Sequence, residues 1–74
     1  MVDYKKRISI NSEIRFGRPC IKNTRIAVYD VLNWLAEGMT HSEILEDFPE
    51  LKDEDIFACL AYAADKDAKL LRAS

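Results

Sequence analysis

The chain has 74 residues, 49% hydrophobic and 32% charged, with a net charge of −2, which is the make-up of one small folded domain and not of a disordered tract. No apolar run approaches the ~20 residues of a membrane span, Met-Val-Asp-Tyr-Lys-Lys-Arg at the start lacks the apolar centre of a secretory signal, and two cysteines with one histidine are too few for a structural zinc site. A cytoplasmic protein without metal, cofactor or small-molecule substrate is expected, and because so short a chain buries only roughly 60% of its unfolded surface, a homodimer or a protein partner is expected too.

In chain order, Arg7-Ile8-Ser9-Ile10 alternates polar and apolar, the period of a half-buried strand. Asn11-Ser12-Glu13 is a turn cluster, and Ile14 and Phe16 resume the alternation with Arg15 on the other face. Gly17 and Pro19 bracket Arg18, so the backbone must turn there. Cys20-Ile21 reads as a very short strand, and Asn23-Thr24 as a second turn at which Asn tolerates the left-handed conformation. Residues 1–27 therefore form a basic strand arm and turn, and an isolated two-stranded ribbon must pack on something to persist.

Residues 28–72 read as a helical bundle. The first helix is expected over Val28–Glu37, with Val28, Val31, Leu32 and Leu35 as its apolar stripe, Trp34 at the core rim, Asp30 in the first turn and Gly38 as a left-handed cap. The second is expected over His41–Asp47, opened by the capping box Thr40/Glu43 and ended by Phe48-Pro49. The third runs from about Asp53 toward Arg72. Asp53, Glu54 and Asp55 load its start with charge of the favourable sign, whereas Lys52 is a poor cap. It carries two apolar stripes, Ile56/Leu60/Ala63 and Phe57/Ala61/Ala64/Ala68/Leu71, more than two short neighbours can cover. The fold class is thus mostly α: a short N-terminal β-hairpin or arm followed by a three-helix, helix-turn-helix-like bundle.

Charge divides along the same line. Residues 1–26 carry seven cations against two acids, +5, and residues 27–74 carry four against eleven, −7. Such asymmetry suits one polyanion-facing end and a second face with another partner.

Beyond the general pattern, Phe16-Gly17-Arg18-Pro19-Cys20-Ile21-Lys22-Asn23-Thr24-Arg25-Ile26-Ala27-Val28 resembles the bacterial family of unknown function numbered 433. So do Arg7-Ile8-Ser9-Ile10, Asp30-Val31-Leu32, Leu35-Ala36-Glu37-Gly38, Glu43 through Leu51 and Asp55 through Ala64, and together the likeness covers about Lys6 to Asp65. It implies a winged-helix or homeodomain-like fold and an antitoxin of the VapB type encoded beside a PIN-like nuclease toxin. It supplies no catalytic residues. The family usually has glycine where this chain has Asn23.

Two functional expectations follow, and they are compatible. In the first, Lys5, Lys6, Arg7, Arg15, Arg18, Lys22 and Arg25 bind DNA by displacing counterions from phosphates, with Arg18 and Arg25 able to read guanine. The acids that open the third helix would repel phosphates, so the arm and turn lead. In the second, the acidic helical face and the surplus apolar surface at Phe57, Ala61, Ala64, Ala68, Leu70 and Leu71 dock on a basic nuclease; the alternatives are a protein-interaction or dimerisation module, or a DNA-binding regulator without a toxin partner. An enzyme is not expected: His41 stands alone, Cys20 and Cys59 are far apart and read as buried thiols, and Glu46 and Asp47 diverge on their helix. Tyr29, Trp34 and Tyr62 read as core and rim aromatics.

Overall fold

The computed structural model describes the backbone from Asp3 to Ala73 and the side chains from Asp3 to Asp67. A single 3-10 turn at Tyr4–Lys6 leads into strand β1, Ile8–Ser9, which pairs antiparallel with β2, Cys20–Ile21, in the register Ile8↔Ile21 and Ser9↔Cys20. Three helices follow: α1 over Val28–Ala36, α2 over His41–Asp47 and α3 over Asp53–Ala73. No described helix is long and apolar enough to cross a membrane.

The helix bounds match the local chemistry. Gly38, at φ 99°, ends α1; its N–H donates to the Leu35 carbonyl and the Met39 N–H to that of Trp34, which is a Schellman closure. The Thr40 hydroxyl accepts from the Glu43 N–H while the Glu43 carboxylate accepts from the Thr40 N–H, closing the expected box. All three helices share one device: an acid at the third position whose carboxylate accepts the N–H of the residue before the helix. Asp30 serves Ala27, Glu43 serves Thr40 and Asp55 serves Lys52. Lys52 is a poor cap by its own side chain, and Asp55 supplies what it lacks.

The core is one cluster of Ile8, Ile21, Val28, Val31, Ile44, Leu51, Ile56, Ala58 and Cys59. Trp34 lies at its rim, stacked on Phe48 at 4.3 Å between centroids. Both cysteines are buried and free. Three expectations need correction. The α3 core face runs through Asp55, Ile56, Ala58, Cys59 and Ala61, where α1, α2 and the Tyr4–Lys6 turn pack on the helix, whereas Leu60 stays 40% exposed. And Ile14–Phe16 is not a strand: Arg15, Phe16 and Gly17 all have positive φ (51°, 59° and 81°) and form a left-handed turn. Tyr29, expected at the core or its rim, is 62% exposed.

Candidate nucleic-acid interface

The arm is held to the helices by two of its own cations. The Arg7 guanidinium donates to Asp55 at 3.0 Å and reaches Glu54 at 3.5 Å, at the start of α3. The Arg15 guanidinium donates to Asp30 at 3.0 Å, at the start of α1, and to the Arg25 carbonyl at 2.9 Å. Asp55 and Asp30 are the same carboxylates that cap those helices, so each arginine completes an N-terminal cap from outside the helix. Just before Arg7 the Tyr4 hydroxyl donates to Asp65, a bond that raises the phenol pKa, and the Tyr4 ring meets Tyr62 edge-on at 5.4 Å.

Arg7 and Arg15 are therefore engaged internally, which local sequence could not reveal because their partners lie 48 and 15 residues away. Arg18 is exposed, with its guanidinium 5.9 Å from the centre of the Tyr29 ring. Lys5 and Lys6 are exposed on the first 3-10 turn. Lys22 and Arg25 are exposed on the turn that follows β2.

That turn is built by a short set of bonds. The Thr24 N–H donates to the Ile21 carbonyl, closing four residues with Asn23 third at φ 64°. The Thr24 hydroxyl donates to the same carbonyl at 2.8 Å and accepts from the Ile26 N–H at 3.0 Å. The Lys22 N–H bonds the Arg7 carbonyl at 2.8 Å, and the Ile21 N–H the Ile26 carbonyl at 2.9 Å. Lys22 and Arg25 thus project from a turn whose backbone is tied on both sides.

Two clefts flank it. One, of about 460 Å³, is lined by Ser9, Ile14, Lys22, Asn23, Thr24 and Arg25, so two cations face it and no acid. The other, of about 680 Å³, is lined by Lys6, Arg7, Lys22 and Lys52 with Asn23 and Thr24, against Asp3, Glu50 and Asp55. Lys52, absent from the sequence-based set, joins Lys6 and Lys22 here; thirty residues separate it from Lys22, and only the tertiary fold brings them together. The cation surplus is thus sharpest at Lys22–Arg25, and the seven expected cations form a smaller and more structured surface than their count suggests.

The helical side is acidic, with Glu37, Glu43, Glu46, Asp47, Glu50, Asp53 and Glu54 exposed. The His41 ring sits 2.9 Å from the Asp53 carboxylate and meets the Phe57 ring edge-on. Of the residues expected to hold a partner, Phe57 (44%) and Ala64 are exposed, but Ala61 is buried against the core and is not available to one. Leu60, three residues from Phe57, takes its place on that face. The side chains of Ala68, Leu70 and Leu71 lie outside the described residues.

The family described as "Protein of unknown function (DUF433)" matches residues 8–63, a span that takes in β1, the Lys22–Arg25 turn, α1, α2 and the start of α3. The chain belongs to the DUF433 family. A solved DUF433 member from Anabaena variabilis ATCC 29413 is 28% identical and superposes with a TM-score of 0.79, covering 90% of this chain. This chain spans 66% of the length of that protein. No curated protein matches. Within the matched DUF433 span, Asn23 takes the left-handed conformation for which glycine is the usual residue, so the turn persists without it.

Proposed function

We propose that this DUF433 protein is an antitoxin-type adaptor: its Lys22–Arg25 turn holds the phosphate backbone of its own operator DNA, and the exposed acidic side of α2 and α3 holds a PIN-like nuclease toxin. The observation that carries the reading is the cleft at Ser9–Arg25 that two cations and no acid line, on a turn fixed by backbone bonds. Cations that meet phosphates displace condensed counterions, and that release makes affinity depend on salt. Lys6 and Lys52 extend the same surface along the neighbouring cleft. The acids that open α3 are partly answered by Arg7, but they keep α3 from leading into a groove.

On α3, Phe57, Leu60 and Ala64 sit at helical spacing among exposed acids, an apolar centre with an anionic rim. That chemistry fits a basic, nucleic-acid-processing partner.

The test is fluorescence anisotropy of a labelled duplex from upstream of the gene, titrated with the protein over a salt series. Affinity falls steeply with salt, and Lys22→Ala with Arg25→Ala removes most of it. A response flat in salt, or a double variant that binds as the parent does, overturns the DNA reading. Phe57→Asp tests the toxin reading by co-purification with the neighbouring gene's product, and undiminished capture overturns it.

A further inference from the structure

Phe16 is the most exposed of the large apolar side chains described, at 101% relative exposure, and left-handed backbone presents it. Bulky residues avoid this conformation, so the turn at Arg15–Gly17 persists only because its flanks are fixed. The Gly17 N–H donates to the Ile14 carbonyl and the Arg18 N–H to that of Arg15. The Arg15 guanidinium donates to Asp30 and, at 2.9 Å, to the Arg25 carbonyl. That last bond ties the Phe16 turn directly to the Lys22–Arg25 turn.

The surroundings of the ring are cationic. Ile14, two residues before Phe16, lines the cleft that Lys22 and Arg25 face, and two residues of chain reach at most about 7 Å. Arg18, two residues after Phe16, has its guanidinium 5.9 Å from the centre of the exposed Tyr29 ring. Among the described residues none of Arg18, Lys22 and Arg25 meets a carboxylate, whereas Asp30 is already answered by Arg15. Glu13 is the one acid between the two strands. An apolar protein surface laid on this ring would desolvate unpaired cations. A strand of nucleic acid brings phosphates to those cations and a flat base to the ring.

We propose that Phe16 is a stacking platform for an unpaired base of the strand whose phosphates lie along Lys22 and Arg25. The inference rests on the DNA reading above and narrows it, from paired duplex to nucleic acid with at least one base out of its stack. Every base has a π-face, so the contact tolerates any sequence, and the Arg18 guanidinium adds a second flat surface. The bonded turn sets the direction of the ring before the strand arrives, so little order remains to be imposed on binding.

The test is anisotropy over a salt series with three labelled probes of one sequence from upstream of the gene: the paired duplex, the duplex with one unpaired thymine, and the single strand. The parent binds the last two more tightly than the first. Phe16→Gly removes the ring and relieves the backbone. It loses roughly 5- to 150-fold on those two probes, and keeps its duplex affinity, its salt slope and its helical circular dichroism. Iododeoxyuridine at the unpaired position photo-cross-links to Phe16. Equal affinity for the three probes, a glycine variant with the parent's preference, or a cross-link that maps elsewhere overturns the proposal. So does a glycine variant that binds every probe as the parent does but no longer captures the neighbouring gene's product, which gives the ring to a protein partner. The two readings fail separately. Lys22→Ala with Arg25→Ala weakens binding to all three probes if the cation turn holds phosphates, whatever Phe16 does, and no binding to any probe overturns both.

Discussion

Arg7 and Arg15 have equivalent roles at opposite ends of the arm, each reaching an aspartate that also caps a helix. The two aspartates differ in burial: the Asp55 side chain is 10% exposed and that of Asp30 is 26% exposed. A buried carboxylate with a cation and a backbone N–H is costly to remove. Asp55→Ala should lower unfolding free energy by about 2–3 kcal/mol in urea titrations, and Asp30→Ala by about 1 kcal/mol. Equal losses would mean that burial does not govern the pair. Cys59 illustrates burial acting on a neutral group. Desolvation, and then the Asp55 charge, push its thiol up to about 12 from an ordinary value near 9. The folded state therefore keeps a proton that the unfolded state sheds above that ordinary value, so stability is complete below it and declines as pH rises from about 9 toward 12. Iodoacetamide at neutral pH should leave Cys59 unmodified in folded protein and alkylate it in urea, with mass spectrometry as the readout.

At the level of elements, sequence punctuation decided what could be read. Helix α2 has the expected bounds, His41–Asp47, because Thr40/Glu43 opens it and Phe48-Pro49 cannot continue it. Helix α1 ends one residue before the expected Glu37, which instead occupies its cap. Asn23 declared its turn, since Asn favours φ > 0. Arg15 and Phe16 did not declare theirs: neither residue type favours the left-handed region, and only Gly17 hinted at it. Their alternation with Ile14 mimicked a strand while the true constraint came from Asp30 and the Arg25 carbonyl, both remote in sequence. In the same way the basic character of the Lys22–Arg25 site was legible, but Lys52 and the internal engagement of Arg7 and Arg15 were not, because charge counts say nothing about pairing. The turn itself can be probed. Asn23→Val, placing a β-branched residue at φ 64°, should cost about 1–2 kcal/mol, whereas Asn23→Gly should leave thermal unfolding unchanged or raise its midpoint. A valine variant as stable as the parent would show that the turn is free to rearrange.

For the whole molecule, the uneven charge survives folding in a reduced form. Cations that hold the arm cannot also release counterions from DNA, so the two sets separate experimentally. Arg15→Ala should lower stability and leave the slope of log affinity against log salt unchanged. Lys22→Ala should reduce that slope by about 0.9 for a lost phosphate contact and leave stability unchanged. Swapped outcomes would reassign both residues.

The bonds that close the arm span most of the chain: Tyr4 to Asp65 crosses 61 residues and Arg7 to Asp55 crosses 48. During translation both arm residues leave the ribosome long before their mates are made. The helices can nucleate locally as they emerge, but the leading segment must wait, unsettled, for the last long helix. Loop closure over such distances is slow relative to helix growth. The nascent chain therefore fastens its arm as a late act, and the surface built around Lys22 becomes complete only once α3 has been made.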